Sequence, residues 1–447
     1  MKSAKSPGSS WLWFGAALVL FGYVFGSPLP ASAQTYPPCA MGQGFNAAYG
    51  ECTNGSPNGS FALIDASQYM NQGDICAAIH AIFANYNGNV SYGIVVDARG
   101  FNPHPGIPQG CTTNPWANLT TLPYSSVVLL PPGTITLSTK WTLPSYTSVV
   151  GQGPNVTIIQ AGSGFSFEMI DMGTSAICPE TFADCPSVQI EHLGVNGNNI
   201  PGVSGIQNWF SQEKSWVNDV AFTNLAGIAL DIEKSTAFNS GPYTNLSMSN
   251  VGTCLQIKAF PTRGVHGLTC STTGSSGPAI YLDGINNSLE DIYIQGGSSQ
   301  DGILVGSQAA AGNNLLFNVS GSGLANVIHL SSNSTSGVPN VSDVTILGVA
   351  RSGGTSTIKD DLVNKTIGDT TVGMYVIGEP IQGNNANIGY SRFTTSTSRN
   401  AATWLVGPNS PVGSGSCATG DLFSQTTVGT PSGTLWGCGG GQWFLIK

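Results

Sequence analysis

Charge is scarce in this chain, where only 8% of residues are Asp, Glu, Lys or Arg. Acids outnumber bases 23 to 14, a balance that repels phosphate backbones and argues against a nucleic-acid partner. Long apolar runs are missing beyond Phe25: no later stretch approaches the roughly 18 apolar residues of a membrane span. No CxxC or Cys/His spacing of the zinc-binding kind occurs, so no metal site is read from the sequence. Helical periodicity is confined to one short segment near residue 80, which excludes helix bundles. Low charge does not make the chain disordered, because 40% of residues are hydrophobic and they recur with a regular period.

That period is clearest between Leu193 and Ile346. Short apolar copies return at Gly227-Ile228-Ala229-Leu230, Cys254-Leu255-Gln256-Ile257, Ala279-Ile280-Tyr281-Leu282, Gly302-Ile303-Leu304-Val305 and Val327-Ile328-His329-Leu330, about every two dozen residues. A second set interleaves with them: Leu193/Val195, Val220/Phe222, Leu246/Met248, Leu268/Cys270, Ile292/Ile294, Phe317/Val319 and Val344/Ile346. Members of each pair are two residues apart, so they share one face of a strand. Gly, Asn, Ser and Thr fill the gaps and turn the chain. A repeat of this length without helices predicts a solenoid, an all-β right-handed parallel β-helix. A propeller blade needs about 40 residues per repeat, and a sandwich does not hold so even a period.

The first 33 residues read as a secretory signal peptide: Lys2 and Lys5, an apolar run from Trp11 to Phe25, then Ala31-Ser32-Ala33 as the cleavage site. Its removal leaves 12 bases against 23 acids, a formal charge of −11, and a secreted protein with no membrane span. Ten cysteines fit an oxidising compartment. Cys178 and Cys185 are placed to close a local loop, Cys417 and Cys438 to staple the C-terminal segment, and Cys39, Cys52, Cys76 and Cys111 to pair among themselves. Cys254 and Cys270 fall on one coil, but strict alternation points Cys270 inward and Cys254 outward, against a bond.

Residues 34–73 read as an irregular, Cys-containing segment. Asp74 then stands at an N-cap before Ile75, Ile79, Ile82, Phe83 and Tyr86, an amphipathic helix suited to cap a solenoid. After it come Val95-Val96-Asp97-Ala98-Arg99-Gly100, then Leu129-Leu130-Pro131-Pro132-Gly133, then Val149-Val150-Gly151-Gln152-Gly153 and Thr157-Ile158-Ile159. In this order, over roughly residues 74–350, they resemble the opening coils of the pectate-lyase-like superfamily of right-handed β-helices. The resemblance implies a fold and, by the habit of that superfamily, polysaccharide as partner. The solenoid is expected over 74–370. Residues 371–447, with Trp404, Trp436, Trp443 and Gly420-Asp421-Leu422-Phe423, read as a small disulfide-bonded β module and resemble tail modules of exported, fibre-like proteins.

Stacked coils turn a period into a line of side chains about 4.8 Å apart. After the first apolar pair come Asp231, Lys258 and Asp283, read as outward: a candidate catalytic row, or a surface ladder of alternating charge. Before the second pair lie His192, Asp219, Asn245, Gly267, Asp291, Leu316 and Asp343, with His192 and Asp219 a candidate proton-transfer pair. Arg263-Gly264-Val265-His266-Gly267 resembles the Gly-His-Gly of polygalacturonases, which implies that His266 assists an acid and Arg263 holds a substrate carboxylate. Neither that family's Asp-Asp pair nor its Arg-x-Lys is present, and the Arg-x-Pro-x-x-Arg of pectate lyases is absent too. Glu213, beside Trp209 and Trp216, offers a carboxylate next to aromatic platforms.

The function expected is therefore a secreted carbohydrate-active protein, a polyuronate hydrolase or lyase working along a lateral groove. Asp219, Asp231, Lys258 and His266 would be catalytic, and Arg263, Glu213, Trp209, Trp216, Asp283 and His192 would bind substrate. No cofactor is expected, save calcium for an elimination. The alternative is a non-catalytic adhesin-like or tailspike-like protein.

Overall fold

The computed structural model describes residues 62–360 except 73, 87–92, 102–108, 120–124, 175–184, 233–238, 259–261, 275–276, 308–310, 332–340 and 343. Outside that span it describes strands at 43–46, 51–54, 374–377, 390–391, 404–407, 422–425, 434–439 and 442–446. The chain divides into two units, Met1–Asn54 and Gly55–Lys447. In the first, Gln43–Asn46 and Glu51–Asn54 pair as an antiparallel hairpin.

The second unit is a parallel β-solenoid with three sheets. The first sheet runs through Ile94–Asp97, Ser126–Leu129, Thr147–Val150 and then residues 189–191, 216–218, 243–244, 265–266, 288–290, 315–317 and 344–347. The second starts at Gln109–Cys111, Gly133–Leu137 and Thr157–Ala161 and continues in 193–196, 220–225, 246–251, 268–272, 292–295 and 319–322. The third stacks Trp141–Leu143, Glu168–Met172, Ser204–Gln207, then 228–232 and 253–257, then Ile280–Leu282, Asp301–Val305, Asn326–Leu330 and Ser356–Asp360. Alternation does the rest: Val217, Tyr243, Val265 and Leu289 point inward from the first sheet, Val220, Leu246, Leu268 and Ile292 from the second, and Leu230, Leu255, Ile280 and Ile303 from the third, all buried. Each such side chain contributes about 1.5–3 kcal/mol.

From residue 189 onward the chain bends between the first and second sheets at one residue per coil, with positive φ: His192 (56°), Asp219 (52°), Asn245 (54°), Gly267 (71°), Asp291 (56°), Asn318 (52°) and Gly348 (70°). The left-handed region is open to Gly and tolerated by Asn, Asp and His, which is why only these types occupy the column. Asn318 and Gly348 replace the expected Leu316 and Asp343. Leu316 is a buried inward residue, and Asp343 lies outside the described residues. The same shift moves the expected pairs Phe317/Val319 and Val344/Ile346: in register with Leu193 stand Val319 and Val349, and Phe317 is exposed on the first sheet.

The helix forms at Ile75–Tyr86 as the spacing predicts, with Ile75, Ile79, Ile82 and Phe83 buried. Asp74 Oδ1 caps it by accepting from Ala77 N at 2.7 Å, while its Oδ2 takes Thr112 N and Oγ1. A disulfide from Cys76 to Cys111 fastens the helix to the coils, and Phe83, Trp116 and Trp141 pack in sequence beside it. Ahead of the helix, Ala62–Asp65 already pairs in parallel with Ile94–Asp97.

Cys254 and Cys270 are bonded, with Cα atoms 6.0 Å apart, which corrects the sequence expectation. The physical reason is the corner between the second and third sheets, where alternation breaks. Cys254 shares a column with Gly205, Ala229, Ala279 and Gly302, all facing inward. The column is tight: a Cβ at Gly205 would lie 3.0 Å from the Phe222 ring. Cys185 and Cys438 are also disulfide-bonded, whereas Cys178 and Cys417 lie outside the described residues, as does the signal segment. Five C-terminal strands between Tyr390 and Ile446 form one sheet. Among the described residues no helix is long and apolar enough to cross a membrane.

Candidate functional site

The outer face of the third sheet carries a column whose register is Thr142, Asp171, Gln207, Asp231, Gln256, Tyr281, Leu304, His329 and Lys359. All of these nine side chains but Leu304 carry a carboxylate, amide, phenol, imidazole, hydroxyl or ammonium group, and Asp171, Asp231 and Gln256 are buried. Three of the four described lysines, Lys140, Lys258 and Lys359, stand on this same face; the fourth is Lys214.

At one end Lys140 Nζ meets Asp171 Oδ2 at 2.7 Å and Glu168 Oε2 at 3.5 Å. Asp171 is only 3% exposed, and its Oδ1 is buried without a hydrogen-bond partner. Burial pushes its pKa up to about 6, against the pull of the Lys140 hydrogen bond and charge. Lys140 loses some of its charge preference to burial, but Asp171 and Glu168 outweigh that and hold its pKa above the usual lysine range.

Two coils beyond Asp171, Asp231 accepts from Trp209 Nε1 at 3.3 Å through Oδ2, and in the following coil Gln256 Nε2 donates to Oδ1 at 3.0 Å. Trp209 is positioned by its turn. Asn208 donates to Ser211 O and to the Tyr243 hydroxyl, Ser211 N donates back to Asn208 Oδ1, and Ser211 Oγ donates to Met172 O. Burial pushes the Tyr243 hydroxyl up to about 12, so it stays a neutral hydrogen-bonding post.

The row Asp231, Lys258, Asp283 needs correction. Leu230, not Ile228, aligns with Leu255, so Asp231 stands beside Gln256. Lys258 follows Ile257 alongside Asp283, where Asp283 N donates to Ile257 O at 2.8 Å. A bulge between Leu225 and Ile228 moves the register by one residue and contributes to the difference. Both acids are buried: Asp231 is 6% exposed, and Asp283 is 1% exposed under Ser307, whose N donates to Oδ1 at 2.6 Å. Tyr281 lies between the two positions; burial and the Asp283 charge raise its pKa while Lys258 lowers it.

The other sequence candidates stand elsewhere. His266 is on the first sheet, its Nδ1 3.1 Å from Glu290 Oε2 and its Nε2 3.3 Å from Arg263 O; Arg263 is exposed beside it. Trp216 is also on the first sheet and donates from Nε1 to Glu191 Oε1, and Glu213 is exposed in the preceding turn. His192 and Asp219 do meet, Nδ1 to Oδ2 at 2.7 Å, but on the bend between the first and second sheets. The fold thus gathers Asp231, Trp209, Lys258 and Asp283 and separates them from His266, Arg263, Trp216, Glu213, His192 and Asp219. Sequence reasoning missed Lys140, Glu168, Asp171, Gln207, Gln256, Tyr281, Asp301 and His329. One signal was available: Asp171 is a lone carboxylate inside the apolar run Met169-Ile170-Asp171-Met172. Among the described residues no group of three or more His, Cys, Asp or Glu side chains is arranged to hold a metal ion.

No protein-family profile matches the sequence, and no curated protein matches it. Among solved structures, ORF18 of Geobacillus virus E2 is 12% identical at a TM-score of 0.47, over 90% of this chain and 82% of that one. The A-module of the mannuronan C-5 epimerase AlgE4 of Azotobacter vinelandii is 10% identical at 0.35, over 71% and 95%. PfbA, a surface adhesin of Streptococcus pneumoniae, is 7% identical at 0.27, over 86% and 98%.

Proposed function

We propose that this is a secreted carbohydrate-active protein that engages a polysaccharide along the outer face of the third sheet. The observation that carries the reading is the single column Asp171, Gln207, Asp231, Gln256, Tyr281, in which carboxylates and amides alternate one coil apart beside the Trp209 indole. A repeating polymer meets a repeating surface there, with an aromatic face for a sugar ring and paired donors and acceptors for its hydroxyls. Secretion rests on the signal-like leader and on the disulfides of Cys76, Cys111, Cys254 and Cys270.

Of the two chemistries expected, hydrolysis has the better support. Asp171 and Asp231 are two coils apart, about 10 Å between backbones, close to the roughly 6.5–9.5 Å that separates the two carboxyls of inverting glycosidases. A carboxyl raised to about 6 is a suitable proton donor, and Asp231, held by Trp209 and Gln256, would be the base that receives a proton from water. Elimination would instead lean on Lys258, with Asp283 and calcium as its helpers. The second reading, glycan binding without cleavage, is favoured by one observation: both Asp231 oxygens are already engaged within the fold.

Incubation of the protein with plant and microbial polysaccharides, with and without calcium, separates these. New reducing ends without unsaturated-uronate absorbance support hydrolysis, and calcium-dependent absorbance supports elimination. Retention on a polysaccharide column without products supports the binding protein, and neither products nor retention removes the polysaccharide reading altogether.

A further inference from the structure

The second sheet turns outward two columns of side chains that the function above does not use. They run through five coils in unbroken register, from Ala221 and Thr223 to Ser320 and Ser322. Between these ends stand Ser247 and Ser249, Thr269 and Ser271, then Tyr293 and Gln295. None of the ten carries a charge. The other two faces do, with Glu191 and Glu290 on the first sheet and Asp171, Asp231 and Lys359 on the third.

The polar groups of this face are also open. Ser247, Ser249, Thr269, Tyr293 and Gln295 are exposed, and the other five are partly so. Thr and Ser on neighbouring strands commonly bond to one another. Among these ten side chains, however, Ser320 alone has a partner within the described residues, Ile292 O at 3.5 Å. The adjoining corner behaves differently: Asn250 Nδ2 donates to Asn224 Oδ1 at 2.8 Å and to Asn199 Oδ1 at 2.9 Å. One coil before Ala221 the face closes, since a Cβ at Gly194 would lie 2.4 Å from Pro154 O.

We propose that this outer face of the second sheet binds ice. Its partner has to be uncharged, because the face offers no counter-charge, and it has to repeat, because the hydroxyls do. Ordered water meets both conditions. In tetrahedrally bonded water, oxygens about 2.8 Å apart put second neighbours about 4.6 Å apart, against about 4.8 Å between successive coils. Four steps from Ala221 to Ser320 therefore accumulate only about 1 Å of mismatch. The methyl groups of Ala221, Thr223 and Thr269 restrict the orientation of water beside them, and the neighbouring hydroxyls anchor it. The array is held rigid from inside: Cys270, between Thr269 and Ser271, is bonded to Cys254, and Phe222 and Met248 are buried beneath it. A glycan on this face would call for a row of aromatic platforms. Tyr293 is the one aromatic here, and it interrupts the small side chains at the fourth coil. The proposal does not rest on the polysaccharide reading, which concerns the third sheet.

The test uses the full secreted chain in frozen sucrose solution, reading the growth of ice grains on annealing, together with partition of the protein into slowly growing ice. Wild type should keep the grains small and enter the ice. Thr269→Tyr and Ser249→Lys, which put bulk or charge into the array, should lose both effects with unchanged thermal unfolding. Ala84→Tyr, which adds the same ring to an exposed position of the capping helix, should keep them. Should Thr269→Tyr destabilise the fold, Ser249→Lys gives the same reading. Tyr293→Thr completes the small-residue array and should strengthen both effects, a gain that a structural role would not produce. Grain growth as fast with wild type as in buffer, or inhibition that survives Thr269→Tyr and Ser249→Lys, overturns the proposal. Weaker inhibition in Tyr293→Thr, with loss of polysaccharide retention, overturns it too and gives the face to a glycan. Polysaccharide retention without ice binding would remove this inference alone; ice binding without retention or cleavage would keep it and remove the third-sheet reading.

Discussion

Lys140 reaches Asp171 on the next coil, Nζ to Oδ2 at 2.7 Å, while Asp171 Oδ1 is buried with no hydrogen-bond partner. The pair is therefore half satisfied: burial wins over the lysine, and the carboxyl titrates near 6.

That imbalance sets a pH dependence. Below about pH 4 Asp171 is protonated in both the folded and unfolded chain. Between about 4 and 6 the unfolded chain releases the proton first, so folded stability falls with rising pH, by about 3 kcal/mol at most. Asp97 and Asp301, whose pKa values are lowered, act oppositely, and their stabilisation is lost as pH falls below the carboxylate range. The difference between wild type and Asp171→Asn isolates the first effect. Urea unfolding should show the variant gaining on wild type as pH rises from 4 to 7, and a difference that is flat with pH would refute the assignment.

The bend column gives a second expectation. At Asn245, φ of 54° is open to Gly and costs a β-branched residue about 1–2 kcal/mol or more. Asn245→Val should lower the urea midpoint clearly, and Asn245→Gly should do so far less. Equal losses would mean that the side chain, rather than the backbone angle, holds the bend.

The Cys254–Cys270 bond closes a separation of 16 residues inside the core. Its loss in the Cys254→Ala, Cys270→Ala double variant should cost about 3 kcal/mol, measured by thermal unfolding under non-reducing conditions. No change in stability would show that the coil contacts alone define this corner.

Much of this architecture is legible in the sequence, and the failures are informative. Asp74 and the Ile75, Ile79, Ile82, Phe83 stripe gave the helix, and pairs such as Val220/Phe222 gave the second sheet. Alternation alone, however, does not choose between Ile228/Leu230 and Leu230/Ile232, since both pairs are apolar and two apart. The wrong choice displaced Asp231 by two residues and set it opposite Lys258. Corner residues such as Cys254 escape alternation because the chain there is no longer a regular strand. Of the site, Asp231, Lys258 and Asp283 were found because they follow recognisable strands, and Trp209 because it is an aromatic near Glu213 in a turn. Gln207, Gln256 and Tyr281 were not, since neutral polar residues on an outer face look like any solvated position.

Activity should divide by sheet. Asp231→Asn and Trp209→Ala should reduce glycan cleavage or retention at least about tenfold, because they remove a carboxylate and the indole that fixes it. His266→Gln and Asp219→Asn, on the first sheet and its bend, should change it less than about threefold. Comparable losses from both groups would place the function on the wrong face.

The most direct measurement is hydrogen exchange of the secreted protein with and without a polysaccharide fragment it retains. The account predicts new protection in peptides that contain 207–209, 231–232, 256–258 and 281–283, which stack as one strip of the third sheet. Protection confined to 191–192, 216–219 and 263–266, on the first sheet and its bend, would contradict it.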